Sequence, residues 1–284
     1  MLAFPPVARA AILALGPAFI LTSAGPDHAY AQGKLSASYT ISVARVPVGR
    51  ITWSADIGED SFTTSGSGEA AGVASLAVSG KGSVAARGMV KDGRLDTTSF
   101  TSDITRGDEK SDMTMVLDHG AVTHLKAAAP PPGEDRVPVT AAHRQNIVDP
   151  LTAWLIPAGD GLSREACERT LPIFDGQRRF DLKLAFKRMD KVKADKGYQG
   201  PVVVCAVTFQ PIAGHRASST LVKFLSQGRD IELWLAPVTG TRLLAPFRVA
   251  VVSMLGNLVV QANEFQALAQ TASRASLKPD TRMD

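Results

Sequence analysis

Alternation of apolar and polar residues constrains this chain more than any other feature. In Leu35-Ser36-Ala37-Ser38-Tyr39-Thr40-Ile41-Ser42-Val43 every odd position is apolar and every even one is small and polar. Ile51, Trp53, Ala55 and Ile57 alternate with Thr52, Ser54 and Asp56. Phe180, Leu182, Leu184 and Phe186 do the same with Asp181, Lys183, Ala185 and Lys187. Successive side chains of a strand point to opposite faces, so this period specifies strands with one dry face and one wet face. Further β-rich runs cover residues 62–69, 81–90, 95–105, 110–117, 121–125, 202–209, 231–235, 247–253 and 258–265.

The connections read as hairpins. Lys91-Asp92-Gly93-Arg94, Asp118-His119-Gly120 and Leu255-Gly256-Asn257 each put Gly, Asp or Asn between two such runs, where a tight reversal needs positive φ. Closely spaced strands with short turns imply an antiparallel meander rather than βα units. The fold expected is therefore mainly β: a single strongly curved antiparallel sheet, or a partly open barrel, of roughly ten strands or more with one or two short helices. The best helix signal is Asp149 to Ile156, with Asp149 as N-cap and Pro150 at the first helical position. Ala153, Trp154 and Ile156 would pack it on the sheet. Pro130-Pro131-Pro132 cannot sit inside a sheet. Because both halves share one period, it reads as a long excursion across a single β-rich domain over residues 32–265. From Gln266 the alternation fades, and residues 266–284 are expected to form a frayed or disordered tail.

The first 31 residues read as an address. Arg9 supplies a positive start, residues 10–21 an apolar run, and Ala29-Tyr30-Ala31 a small-x-small cleavage pattern. Pro17, Ser23, Pro26 and Asp27 interrupt the run before it reaches the roughly 20 apolar residues of a membrane span. Cleavage after Ala31 is expected, giving an exported, periplasmic chain without a transmembrane anchor. Export gives Cys167 and Cys205, the two cysteines, their meaning: in an oxidising compartment an even pair forms a disulfide. Neither has a second ligand at metal-binding spacing, which weighs against a metal pair.

Motifs that carry chemistry are scarce. Ser65-Gly66-Ser67-Gly68 lacks nucleophile-elbow spacing, and Gly80-Lys81-Gly82-Ser83 lacks the phosphate-loop pattern. His119, His124, His143 and His215 show no ligand spacing, so no metal and no cofactor are expected. Ser163, His143 and Asp149 form a triad only on paper. The net charge of +4 is mild and excludes a strongly basic nucleic-acid binder. One stretch is more basic: between Arg178 and Lys196 lie eight Lys and Arg against three Asp. Arg178, Arg179, Lys183, Lys187 and Arg188 are its candidate contacts to an anionic envelope surface, such as phospholipid or lipopolysaccharide head groups, set against a merely solvated hairpin face. Apolar stripes such as Met113-x-Met115-x-Leu117 and Val249-x-Val251 are either core or the concave face of a curved sheet that accepts an acyl chain.

Short motifs spread over the chain resemble a mainly β envelope family of Gram-negative bacteria, domain-of-unknown-function family 3108. They include Tyr39-Thr40-Ile41 with Val48-Gly49, Asp149-Pro150-Leu151-Thr152-Ala153, Phe174-Asp175-Gly176-Gln177-Arg178-Arg179-Phe180, Pro211-Ile212-Ala213-Gly214-His215-Arg216 and Ile231-Glu232-Leu233-Trp234-Leu235-Ala236-Pro237. The resemblance implies a periplasmic β protein and no established activity. By analogy of fold, it suggests the half-barrels of periplasmic lipoprotein carriers. Two functions of different kinds follow as expectations. One is non-enzymatic binding of a hydrophobic or lipid-like ligand on the concave sheet; the other is a structural module that docks on another envelope component. A hydrolase with an unrecognised site is the third and least supported.

Overall fold

A computed structural model of the protein describes residues 32–71, 80–91, 93–129, 135–159, 161–228, 230–253 and 256–270. The expected signal segment 1–31, the proline run and the end of the chain beyond Gln270 lie outside the described residues.

Seven strands form a first meander: β1 (Gln32–Val43), β2 (Val46–Ile57), β3 (Ser61–Ala70), β4 (Gly80–Lys91), β5 (Arg94–Arg106), β6 (Glu109–Asp118) and β7 (Ala121–Ala127). After a crossing segment that contains the short β8 (Ile156–Pro157), a second series follows. It comprises β9 (Arg169–Phe174), β10 (Arg179–Lys193), the short β11 (Lys196–Gly197), β12 (Gln199–Ala213), β13 (Ile231–Val238), β14 (Leu243–Ser253) and β15 (Gly256–Gln270). All belong to one sheet in the order β7-β6-β5-β4-β3-β2-β1-β15-β14-β13-β12-β10-β9. First and last strands are therefore neighbours, and the two halves meet along β1 and β15. The expectation of a single, mainly β antiparallel sheet is met, with 15 strands among the described residues, of which the short β11 runs parallel to its partner β15. No helix among the described residues is long and apolar enough to cross a membrane.

Two apolar clusters divide the interior. The larger holds Leu35, Trp53, Phe62, Met115, Phe247 and Phe265 among others; the smaller holds Ile156, Cys167, Ile173, Cys205, Leu233 and Leu235. Strands β12 and β13 feed both. Val202, Val204, Trp234 and Ala236 join the larger cluster, while Val203, Cys205, Leu233 and Leu235 join the smaller. These strands are covered on both faces, which is why their sequence is continuously apolar instead of alternating.

The crossing segment stitches the two free edges of the sheet together. Ile147 N–H donates to the Gly120 carbonyl at the β6–β7 turn, while Val148 N–H donates to Pro172 O and its carbonyl accepts from Phe174 N–H on β9. Asp149, fully buried, accepts from the Leu151 and Thr152 N–H groups and from the Thr97 hydroxyl of β5 at 2.7 Å. Further along, Ile156 and Pro157 pair with β14, and Cys167 is bonded to Cys205 of β12.

Two local expectations need correction, and two further features lie where nothing was expected. The helix expected over Asp149 to Ile156 is a single 3-10 turn, Thr152–Trp154. Its N-cap is Leu151 and not Asp149, although the Asp149 carboxylate accepts from the Leu151 and Thr152 N–H groups, and Ile156 is drawn into a strand by pairing with β14 before a second helical turn can close. Ala153 and Ile156 are buried and Trp154 packs against both clusters, so the expected contacts are kept by a different backbone. The tail does not begin at Gln266: β15 runs to Gln270 because the start of β1, from Gln32, needs its backbone partners, even though Leu268 is 65% exposed. β2 begins at Val46, reached through a two-residue turn in which Ala44 and Arg45 have φ of +49° and +72° without any glycine. The helix α1 (Thr220–Ser226), capped by the Ser219 hydroxyl, lies where none was expected.

Candidate functional site

The inward side chains of β3 shrink in order: Phe62, Thr64, Gly66, Gly68. On β4 the partners of Gly66 and Gly68 are Val84 and Gly82. The rows across the sheet are thereby unequal. At the end bearing the β2–β3 and β4–β5 turns, Phe62 fills the space beside Gly88, where an added Cβ would lie 2.7 Å from the Phe62 ring. Toward the opposite end, the row Tyr39, Ile51, Gly68, Gly82, Ile104 has no side chain at its centre.

What remains is an apolar groove of about 490 Å³. Gly66, Gly68 and Gly82 form its floor, flanked by Trp53 and Tyr39. Leu151 and Trp154 of the crossing segment overhang it, and Pro246, Arg248 and Val260 close the side toward the second half of the sheet. The volume falls within the range of about 300–1,000 Å³ usual for small-molecule sites. A Cβ added at Gly66 would meet only ordinary contacts, the nearest being Thr52 O at 3.4 Å and Val84 Cγ2 at 3.5 Å. The glycine is therefore not forced by crowding, and its effect is to leave space.

The groove's polar handles are mostly spent on the protein. The Tyr39 hydroxyl donates to Pro246 O at 2.8 Å, and burial pushes its pKa up. Trp53 Nε1 donates to the Thr64 hydroxyl at 2.7 Å, which in turn donates to Ser54 O. Arg248 differs. Its guanidinium lies 4.8 Å above the Trp234 ring, and its buried Nε has no hydrogen-bond partner. No ion pair joins it to an acidic residue among the described residues.

The residues singled out in the basic run lie elsewhere, on β10 and the turn before it. Arg179 is mostly buried and donates to Asp181 and to Phe180 O. Arg188 grips Glu232 through two hydrogen bonds of 3.1 and 2.8 Å, and Lys187 pairs with the same carboxylate. These donors hold the Glu232 pKa down to about 2. Arg178 and Lys183 form no ion pair among the described residues. Three of the five cations are thus neutralised by partners two to 45 residues away, which local charge counting does not reveal.

The paper triad is not brought together. His143 accepts from Thr140 N–H, Asp149 is engaged as above, and no hydrogen bond links either to Ser163. Among the described residues no three His, Cys, Asp or Glu side chains cluster to hold a metal. Met113, Met115 and Leu117 are buried, which makes that stripe core and not groove. Gly66, Gly68, Gly82 and Arg248 were not recognised as site residues from the sequence. The falling size of the inward positions of β3 was a readable signal; Arg248 has none until its neighbours are known.

Residues 38–262 match the family model described as "Protein of unknown function (DUF3108)". No curated protein matches the sequence. Among solved structures, a beta-barrel-like protein of domain of unknown function DUF1849 from Brucella abortus superposes with a TM-score of 0.44 at 11% identity, over 84% of this chain and 98% of that one. A putative lipoprotein from Parabacteroides distasonis gives 0.32 at 8% identity, over 83% and 95% of the two chains.

Proposed function

We propose that this chain, which belongs to the DUF3108 family, is an exported, periplasmic, non-enzymatic protein that binds a hydrophobic or lipid-like ligand in the groove over β3 and β4. The observation that carries this reading is the glycine floor: three inward positions, Gly66, Gly68 and Gly82, lack side chains beneath an overhang of Leu151 and Trp154. Water in an open apolar groove packs against its lining less densely than a hydrocarbon chain would. A ligand chain placed there regains those contacts and gains about 0.8 kcal/mol per methylene removed from water.

Docking on an envelope partner through the basic hairpin draws less support. Arg179, Lys187 and Arg188 already have internal carboxylate partners, and the β9 edge is occupied by Val148. Hydrolysis lacks an assembled nucleophile, base and orienting group among the described residues. Native mass spectrometry of the protein isolated from its own periplasm without detergent, followed by lipid extraction, tests the reading. A reproducible apolar adduct is expected. A uniformly ligand-free protein that also fails to take up added lipid would contradict it.

A further inference from the structure

Among the described residues, one cation without an acidic partner lines the groove, Arg248. Around Trp234 sit two guanidinium groups, Arg188 at 5.3 Å and Arg248 at 4.8 Å from the ring. Arg188 is neutralised by Glu232 through a bidentate pair. Trp234 Nε1 donates to Asp190, whose carboxylate also accepts from Lys191 N–H. Asp190 is held below the usual carboxylate range chiefly by that Trp234 bond, with smaller contributions from the Arg188 and Arg248 charges, yet it forms no ion pair with Arg248. Arg248 alone faces the groove, with a buried, unpartnered Nε. An arginine cannot discharge itself by losing its proton, so a partly desolvated one gains most from an oxygen anion. Two other polar groups at the wall, the Tyr39 hydroxyl and Trp53 Nε1, are already satisfied by protein partners.

We propose that Arg248 makes the groove selective for an anionic amphiphile: an acyl chain over the Gly66–Gly68–Gly82 floor, with a carboxylate or phosphate head on the Arg248 guanidinium. This rests on the ligand-binding reading above and adds the head-group class and the residue that reads it. A charge-assisted hydrogen bond in such a setting is worth roughly 10- to 100-fold in affinity.

Trp53 and Trp154 line the groove, so intrinsic fluorescence reports its occupancy. The full chain is titrated with palmitate, with single-chain lysophosphatidate and with neutral monopalmitin, below their aggregation limits. Both anionic probes should bind roughly tenfold or more tightly than monopalmitin, and the tighter of the two distinguishes a free fatty acid from a phospholipid-derived source. Arg248→Met should lower palmitate affinity to that of monopalmitin measured on the same variant, and Arg248→Lys, which keeps the charge but loses the planar fork, should retain only part of the preference. Equal binding of all three probes, or an Arg248→Met variant that binds palmitate as wild type does, would overturn the head-group assignment and leave the groove standing. Gly66→Val, which fills the floor, should abolish every probe. Unchanged binding in that variant would instead overturn the ligand-binding reading itself.

Discussion

Strands β3 and β12 belong to one sheet and are filled in opposite ways. On β12 consecutive residues, Val202, Val203, Val204 and Cys205, are all fully buried, because each face of the strand meets its own apolar cluster. On β3 the outward residues Ser61, Thr63, Ser65 and Ser67 are exposed, and the inward ones dwindle to Gly66 and Gly68. Outward hydroxyls pair across strands, Thr52 with Ser67 and Ser54 with Ser65, giving order to a surface that buries nothing. The second half of the chain is therefore a solid support. The first half is a wall whose inner face is left partly empty. One strand period thus serves two purposes, depending on how much side chain is put on the inner positions.

Substitutions that probe this contrast should have unequal costs. Phe247, fully buried and in ring contact with Tyr198 and Phe265, belongs to the filled half. Phe247→Ala should cost about 4 kcal/mol in urea unfolding, whereas Ile104→Ala beside the groove should cost only about 1 kcal/mol, since it has fewer neighbours to lose. Similar costs for the two would erase the distinction between a packed and an open half.

The disulfide belongs to the same support. It ties the end of the crossing segment to β12 and closes a loop of 38 positions. Replacing both Cys167 and Cys205 by Ser should lower stability by about 3 kcal/mol. Hydrogen exchange should rise most in β9, β12 and the crossing segment, with β2–β4 little changed. An even rise across all strands would show that the halves unfold as one unit.

A smaller effect depends on acid. Glu232 is held down to about 2, first by its hydrogen bonds from Arg188 and then by those from Lys187, against an ordinary value of 4.5. A depressed carboxylate adds stability that is fully present above its unfolded pKa, so this contribution is complete above about pH 5 and drains away as pH falls through 4.5 toward 2. Glu232→Gln should flatten that part of the urea midpoint against pH curve. An unchanged slope would remove the pair from the support's ledger. The smallest effect lies in the wall: Ala44→Asn with Arg45→Gly suits the positive φ of the β1–β2 turn and should add about 1 kcal/mol.

The strands of the wall were legible in the sequence because burying one face forces strict alternation. In the support, β9 was not: Arg169-Thr-Leu-Pro-Ile-Phe174 carries a proline, and its edge is completed by Val148 from the crossing segment rather than by a consecutive strand. The β1–β2 turn is not legible because Ala44 and Arg45 are not among the usual turn residues. The basic run was visible as charge, but its neutraliser, Glu232, lies 44 residues from Arg188. Arg248 is a lone cation in a strand, and only the fold puts an indole beneath it and a glycine floor beside it.

On the proposed reading, the wall leaves space for a ligand chain and the support does not. Urea unfolding with and without palmitate, at about a hundred times its dissociation constant, tests this most directly in wild type and Gly66→Val. Ligand should stabilise the wild type by about 2.7 kcal/mol and leave Gly66→Val where it was. Equal stabilisation of the two proteins would place the ligand elsewhere and contradict the account.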